Sequence, residues 1–263
     1  MFTKLFLNLR KKGFIYTIKI IYYFFVEKVY NIFKKISYKP EPYEFVENDV
    51  VNNLNCYIKK QKNEIKNIII VGAHHAYEVK YLQKNFHNCN FKLFEASPRH
   101  IEKLTNIFLN NKNILIYPKA VSNTNGILIF YETNLTNSGS ILKTADLASK
   151  SFGMIQKESY EVEAVTLNKH SLDHNYHNTE IDCLWIDVQG AEFLVLEGAS
   201  EILSNVRSIF IEISLLEPLY ENGAVFKDIN NLLILNNFIL FSLGTDYNNG
   251  TGNAFFVKKD NNV

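Results

Sequence analysis

The chain has 263 residues, of which 47% are hydrophobic, and a formal net charge of +1. This length and composition suit one α/β domain with appendages and a sizeable core. The charge is unevenly distributed along the chain. Residues 1–38 carry eight Lys/Arg and one Glu, which gives a net charge of +7. The remaining residues include 20 basic and 26 acidic ones, which gives a net charge of −6. A mildly acidic body argues against nucleic acid as the partner, because a nucleic-acid-binding body would show a basic face.

The three cysteines, Cys56, Cys89 and Cys183, have no paired spacing. Cys89 and Cys183 fall beside or inside predicted strands, where a free cysteine serves as a small apolar residue. We therefore expect a reduced, cytoplasmic compartment, with no disulfide framework and no cysteine-based zinc site.

Residues 1–38 are predicted to be a basic amphipathic helical arm, followed by one domain over residues 39–263. Apolar residues recur in the arm at steps of three and four, which is the period of one helix face: Phe14, Ile18, Ile21, Phe25, Val29, Ile32 and Ile36. The most apolar window, residues 14–26, is shorter than the roughly 20 residues of a membrane span and contains Lys19. No small-residue cleavage site follows, so we do not expect a secretory signal either.

Two interpretations of the arm stay open. It is either an interfacial helix on an anionic membrane, with Lys/Arg at the headgroups and aromatic residues below them, or a helix packed on its own domain or on a second subunit. Pro40 and Pro42 mark the end of the arm.

In the body, helical and strand-like segments alternate, which predicts a mainly parallel sheet. After a helical lead-in near 44–60, the expected helices are 76–86, 98–110, 190–204 and 225–236. The expected strands are 67–72, 90–95, 114–119, 160–166, 181–187, 207–213, 238–243 and 253–258, and a hairpin is expected between the turn segments Ser122–Gly126 and Asn134–Ser140. The turn region 244–252 makes the last two strands an antiparallel pair.

Two strand ends in the first half of the domain indicate a nucleoside-type cofactor. Gly72 ends the first strand, where a glycine lets the backbone turn tightly near a ligand. Glu95 ends the next strand, 23 positions later, and an acid at about that distance binds a ribose diol in Rossmann-type sites. The alternatives are a glycine that merely turns and a glutamate that only caps a helix.

Three acids in the second half are candidates for the same crevice. Asp187 follows an apolar strand and Glu192 enters the next helix, although both could simply favour the helix N-terminus. Glu212 shares a strand face with Phe210, opposite Ile209 and Ile211, and a carboxylate there needs a partner or an open cleft.

The histidines fall into two groups. His170, His174 and His177 have a spacing that could suggest metal ligands, but a solvated loop is the preferred interpretation, and no metal site is predicted. His74 lies in the glycine turn, where it could act as a base, a cofactor contact or a cap.

The block Leu184-Trp-Ile-Asp-Val-Gln-Gly-Ala-Glu192 with Val195-Leu-Glu-Gly-Ala199 resembles the signature of FkbM-type class I S-adenosylmethionine-dependent methyltransferases. The resemblance runs from about residue 67 to 258. Shorter matches support it: Val71-Gly-Ala73, Phe94-Glu-Ala-Ser-Pro98, Lys119-Ala-Val-Ser122, Phe210-Ile-Glu-Ile213 and Gly252-Asn-Ala-Phe255. It implies a Rossmann-like, seven-stranded, mostly parallel sheet with an antiparallel last strand.

The resemblance also implies roles for individual residues toward S-adenosyl-L-methionine. Gly72 and Ala73 would form the cofactor loop, Glu95 would hold the ribose, and Ala120, Val121 and Ser122 would lie beside the adenine. The junction of cofactor and acceptor would be lined by Asp187, Gln189 and Glu192. Glu212 is a candidate for the acceptor side from its place on the strand, apart from the resemblance. The expected order of candidates for the general base is Asp187, Glu192, His74.

The first loop departs from the family pattern Asp-Val-Gly-Ala-Asn-x-Gly. Here it reads Ile70-Val-Gly-Ala-His74-His-Ala76, so the acid, the asparagine and the second glycine are replaced. Two alternatives therefore stay open: a degenerate methyltransferase fold that binds without catalysis, and a nicotinamide-dependent enzyme, which the incomplete glycine motif disfavours.

The acceptor implied by the family is a sugar hydroxyl in a surface glycan, a glycolipid or a secondary metabolite. Together with the basic arm, this predicts a cytoplasmic enzyme with peripheral membrane contact through residues 1–37. A small non-sugar metabolite or a protein as acceptor stays open, as does the oligomeric state.

Overall fold

A computed structural model describes residues 57, 64–246 and 250–259 of the chain. Its centre is a seven-stranded sheet in the order β3-β2-β1-β7-β8-β10-β9. All neighbouring strands are parallel except at the last strand, β10, which is antiparallel to both β8 and β9. The predicted Rossmann-like architecture, with its antiparallel last strand, is confirmed.

The strands of the main sheet are β1 (Asn67–Val71), β2 (Asn90–Phe94), β3 (Ile114–Tyr117), β7 (Cys183–Ile186), β8 (Ser208–Ser214), β9 (Phe238–Asp246) and β10 (Thr251–Lys258). A second sheet contains β4 (Ala120–Val121), β5 (Gly126–Thr133) and β6 (Gln156–Val165). The helices are α1 (Tyr77–Asn85), α2 (Pro98–Phe108), α3 (Asp146–Phe152), α4 (Leu167–Asp173), α5 (Glu192–Gly198) and α6 (Phe226–Leu235), and a 3₁₀ helix spans Ile202–Asn205.

Both faces of the main sheet are covered, which explains why its central strands are apolar throughout rather than alternating. In β1, Ile69 and Val71 belong to one buried cluster, whereas Ile68 and Ile70 belong to the cluster on the other face. In β8, Ile209 and Ile211 pack on the first face and Phe210 on the second, as the alternation predicted.

The second sheet, in the order β4-β6-β5, differs from the predicted hairpin at residues 122–140. The segment between the two predicted turns is the single strand β5, and its antiparallel partner is β6, beyond α3. The predicted strand at 114–119 ends at Tyr117 as β3, and the next strand, β4, starts at Ala120 and pairs with β6 in the second sheet.

Other boundaries also differ from the predicted ones. The helix expected at 190–204 ends at Gly198 and is followed by the 3₁₀ helix. His170, expected in a solvated loop, is buried in α4, where its Nδ1 lies 2.8 Å from the Tyr176 hydroxyl. The N-terminal arm and nearly all of the predicted lead-in helix at 44–60 lie outside the described residues. Among the residues that the structure does describe, no helix has the length and apolar character of a membrane span.

Gly72 allows the ends of β1 and β7 to come together. The Asp187 N–H donates to the Val71 carbonyl (3.0 Å), and a Cβ on residue 72 would lie 1.8 Å from the Asp187 carbonyl oxygen. Gly72 also has a φ of +86°, a left-handed conformation that disfavours any side chain. This position therefore requires glycine for two separate reasons.

We predict that Gly72→Ala lowers the free energy of unfolding by more than about 4 kcal/mol, or abolishes folding, because backbone atoms of β7 must move. The measurement is urea denaturation followed by circular dichroism. The matched control is Gly153→Ala. Gly153 also has a positive φ, of +63°, but no atom of the described residues lies within 4 Å of the added Cβ. We therefore expect this control to lower the free energy of unfolding by only about 1–2 kcal/mol. Equal losses in the two variants would contradict the steric argument.

Candidate active site

Four candidate residues lie in one row across the sheet. Val71 is in register with Phe94 on one side and with Ile186 on the other, and Ile186 is in register with Ile211. The residues that follow these four positions are Gly72, Glu95 and Asp187, each directly after the end of its strand, and Glu212, near the carboxyl end of β8. Ligands of open α/β sheets bind at this edge.

A cavity of about 300 Å³ opens above this row. Among the residues named from the sequence, those that line it are Gly72, Ala73, His74, Glu95, Ala120, Val121, Asp187, Gln189 and Glu212. Ser122 and Glu192 are not among its lining residues. The hydroxyl of Ser122 lies beside the Asn123 side chain instead (3.4 Å).

The Glu95 carboxylate is buried and held by the backbone. Its Oε2 accepts from the His74 N–H and its Oε1 from the Ser97 N–H, both at 2.7 Å. Burial raises the pKa of Glu95 to about 7, against the effect of these hydrogen bonds. A carboxylate offers about four acceptor positions, so the backbone leaves acceptor capacity for hydroxyl donors such as those of a ribose diol.

Asp187 and Glu212 share one amide. Gln189 Nε2 donates to Asp187 Oδ1 (2.8 Å) and to Glu212 Oε2 (2.6 Å), and Gln189 Oε1 accepts from the Tyr220 hydroxyl (3.2 Å). Burial raises the pKa of Asp187, and burial together with the charge of Asp187 raises the pKa of Glu212 well above its usual range. The charge of each carboxylate disfavours ionisation of the other, which adds to the effect of burial.

The turn that presents Gln189 depends on Glu192. Glu192 Oε1 accepts from the N–H of Val188 (3.1 Å) and of Gly190 (3.0 Å), and the side chain is buried. Gln189 and Gly190 have φ values of +56° and +96°, and a Cβ on residue 190 would lie 2.6 Å from the Tyr220 ring. Glu192 therefore holds the backbone of the turn that carries the amide.

Sequence reasoning missed two further acids of the cavity wall. Glu78, in the first turn of α1, has its pKa raised to about 7 by burial. Glu132, on β5, is fully buried, and its Oε1 accepts from the Ser97 and Tyr160 hydroxyls, with Arg99 Nη1 at 3.7 Å from Oε2. Glu78 follows the glycine loop closely enough to be a candidate, whereas Glu132 comes from the second sheet and carries no local signal.

Three histidines meet at the edge of the cavity. The ring of His74 lies 3.9 Å from that of His75 and 4.3 Å from that of His100, between centroids. Burial, followed by the proximity of His100 and His75, lowers the pKa of His74 to about 4. His74 is therefore neutral at physiological pH and a weak base.

The cavity suits S-adenosylmethionine in its chemistry. Glu95 offers a hydrogen-bond acceptor, and apolar side chains including Phe94, Val121 and Phe130 line the same cavity. A volume of about 300 Å³ falls within the usual range of small-molecule sites. Glu95 would bind the ribose, while Asp187 and Gln189 would lie on the side of the reacting groups.

Fold and site together define a class I methyltransferase. The family model described as "Methyltransferase FkbM domain" matches residues 71–240, which is more than half of the chain. The chain belongs to this family and is an S-adenosylmethionine-dependent methyltransferase. No curated protein matches the chain.

Solved structures give weaker similarities. Fibrillarin from Aeropyrum pernix, in complex with natively bound S-adenosyl-L-methionine, is 12% identical, with a TM-score of 0.40 over 74% of this chain and 67% of that one. A precorrin-6y C5,15-methyltransferase from Geobacter metallireducens is 8% identical, with a TM-score of 0.43 over 79% of this chain and 87% of that one. At these TM-scores the two similarities carry no further argument.

We predict that Glu95→Gln weakens S-adenosylmethionine binding by about 10- to 100-fold, because hydrogen bonds to a charged group contribute about 1.5–3 kcal/mol. Calorimetric titration measures the dissociation constant, and a melting curve confirms that the variant is folded. The control is Glu102→Gln on the exposed face of α2, which should bind like the parent chain. Unchanged affinity in the Glu95 variant would exclude a ribose contact.

Proposed function

We propose that the enzyme methylates a hydroxyl oxygen, and that the acceptor is a sugar of a surface glycan or glycolipid. The observation that carries the proposal is the Asp187–Gln189–Glu212 group beside the Glu95 cavity. Carboxylates and an amide are suited to binding and deprotonating an alcohol, whereas an apolar acceptor would leave the remaining acceptor positions of these carboxylates unpaired.

When bound, S-adenosylmethionine supplies an electrophilic methyl group on a sulfonium sulfur. The protein aligns the acceptor oxygen with that group, which alone can lower the barrier by about 7–11 kcal/mol. Asp187 accepts the proton of the acceptor hydroxyl and so makes the oxygen a better nucleophile. Gln189 holds the Asp187 carboxylate in place through the bond from Nε2 to Oδ1.

Asp187 is preferred over the other two candidate bases. The Glu192 carboxylate accepts from two backbone N–H groups and is not among the cavity-lining residues. His74, with its pKa lowered to about 4, binds a proton weakly at neutral pH. A general base is most effective when its pKa lies near the working pH, and burial moves Asp187 in that direction.

We predict that Asp187→Asn lowers turnover by about 10²- to 10⁴-fold, the typical contribution of a positioned base, and leaves cofactor affinity unchanged. Asparagine retains an oxygen for Gln189 but cannot accept the proton. Release of S-adenosylhomocysteine measures turnover, calorimetry measures affinity, and Asp146→Asn on exposed α3 is the control. Full turnover in the Asp187 variant would remove this residue as the base.

The acceptor is identified by supplying tritium-labelled S-adenosylmethionine with cell-envelope glycan or with a panel of small non-sugar alcohols. Label recovered in a monosaccharide after acid hydrolysis supports the proposal. Label found only in non-sugar alcohols or in protein overturns the sugar assignment. Absence of both turnover and cofactor binding would indicate a degenerate binding protein.

We further propose that residues 1–37 bind the anionic inner face of the membrane. The support is their sequence, in which an apolar helical stripe accompanies a net charge of +7 over residues 1–38. We predict that the full chain sediments with vesicles containing phosphatidylserine, less so at high salt, and that deleting residues 1–37 abolishes sedimentation. Undiminished sedimentation of the shortened chain would contradict the proposal.

A further inference from the structure

We propose that His74, His75 and His100 form a binding site for a divalent transition-metal ion, of the zinc type, at the edge of the cofactor cavity. Each residue can offer one ring nitrogen, and the three nitrogens lie within 4.8 Å of one another. All three residues also line the cavity. The inference concerns metal binding and holds whether or not the methyl acceptor is a sugar.

The distances are close to those that a metal requires. Zinc binds imidazole nitrogens at about 2.0–2.1 Å, so the nitrogens of a tetrahedral site are about 3.4 Å apart. No pair therefore has to close by more than about 1.4 Å. The rotation of imidazole side chains can provide this, because His74 and His75 are only partly buried.

Two hydrogen-bond features favour a metal over a simple cluster of rings. His74 Nε2 is buried and makes no hydrogen bond of normal geometry with the residues that the structure describes, although the Thr136 carbonyl lies close enough to the ring to raise its pKa. His100 Nε2 lies 3.0 Å from the Thr136 carbonyl oxygen. Because a carbonyl only accepts, Nε2 carries the proton and Nδ1 keeps its lone pair, which is how metal-binding histidines are usually oriented.

The residues around the three histidines and the type of ligand atom both affect which ion can bind. Lys103 on α2 faces the cluster and opposes a cation, as its effect on the pKa of all three histidines indicates. A hard ion such as Mg²⁺ prefers oxygen ligands, whereas imidazole suits zinc, copper and nickel. Three protein ligands would leave a fourth position for water or another small ligand.

The loop offers a reason for the site. His74 and Ala76 have φ values of +44° and +48°, conformations that are costly for residues other than glycine. A metal bound by His74 and His75 and anchored to α2 through His100 would stabilise this loop against the rigid helix. The two loop histidines stand where the family pattern has asparagine and a variable residue.

The test uses the full-length chain without a histidine tag, stripped with a chelator and dialysed against Zn²⁺. We expect one tightly bound equivalent per chain and a raised melting temperature. Each of the variants His75→Ala and His100→Ala should weaken Zn²⁺ binding by at least about 100-fold. A residue that only hydrogen-bonds to a metal ligand usually contributes less than this to the affinity. The matched control, His87→Ala, removes an exposed histidine and should bind like the parent chain.

Melting curves without metal show whether the variants fold, and the half-buried His75 is the safer of the two sites to change. Less than stoichiometric Zn²⁺ on the parent chain would overturn the proposal. So would equal binding by the parent chain, the two site variants and the control. Calorimetric titration of metal-free protein with S-adenosylmethionine is performed separately, so a failure of cofactor binding is distinguished from a failure of metal binding.

Discussion

The close backbone contact between Gly72 and Asp187 is the constraint on which the site depends. The Asp187 carbonyl oxygen occupies the space that a Cβ on residue 72 would need, and the Asp187 N–H donates to Val71. Together these contacts fix the ends of β1 and β7 side by side. Glu95 and Asp187 therefore face one cavity rather than separate parts of the surface, and Glu212 follows through the register of β8 with β7.

The cavity is rich in carboxyl groups, and the surrounding hydrogen bonds determine what each one does. Glu95 is held by two backbone N–H groups, Glu192 by two others, and Asp187 and Glu212 by one shared amide. Burial raises the pKa of all four. The four carboxyls therefore differ in their hydrogen-bond partners and not in the direction of their pKa shifts.

The sequence predicted the site residues that lie at strand ends, because parallel strands all bring their last residues to the same edge of the sheet. This accounts for the predicted convergence of Gly72, Glu95 and Asp187, and for the orientation of Glu212. Glu132 and Tyr220 could not be found in this way, because their positions depend on the second sheet and on a distant loop. The sequence identified Glu192 as a candidate residue. It did not show that the Glu192 carboxylate holds the turn at Val188–Gly190, because this role depends on the conformation of the backbone.

The first loop shows how the chain accommodates its departures from the family pattern. Ala76 stands where the pattern has glycine, yet it adopts a left-handed φ of +48°, and His74 does the same at +44°. Each such residue costs about 1–2 kcal/mol, so the loop must be held by contacts that outweigh this cost. The His74 N–H bond to Glu95 is one of them, and it also orients the carboxylate expected to bind the ribose. Because this bond comes from the backbone of residue 74, it does not depend on which side chain stands there, and the side chain that lines the cavity can differ without loss of the bond.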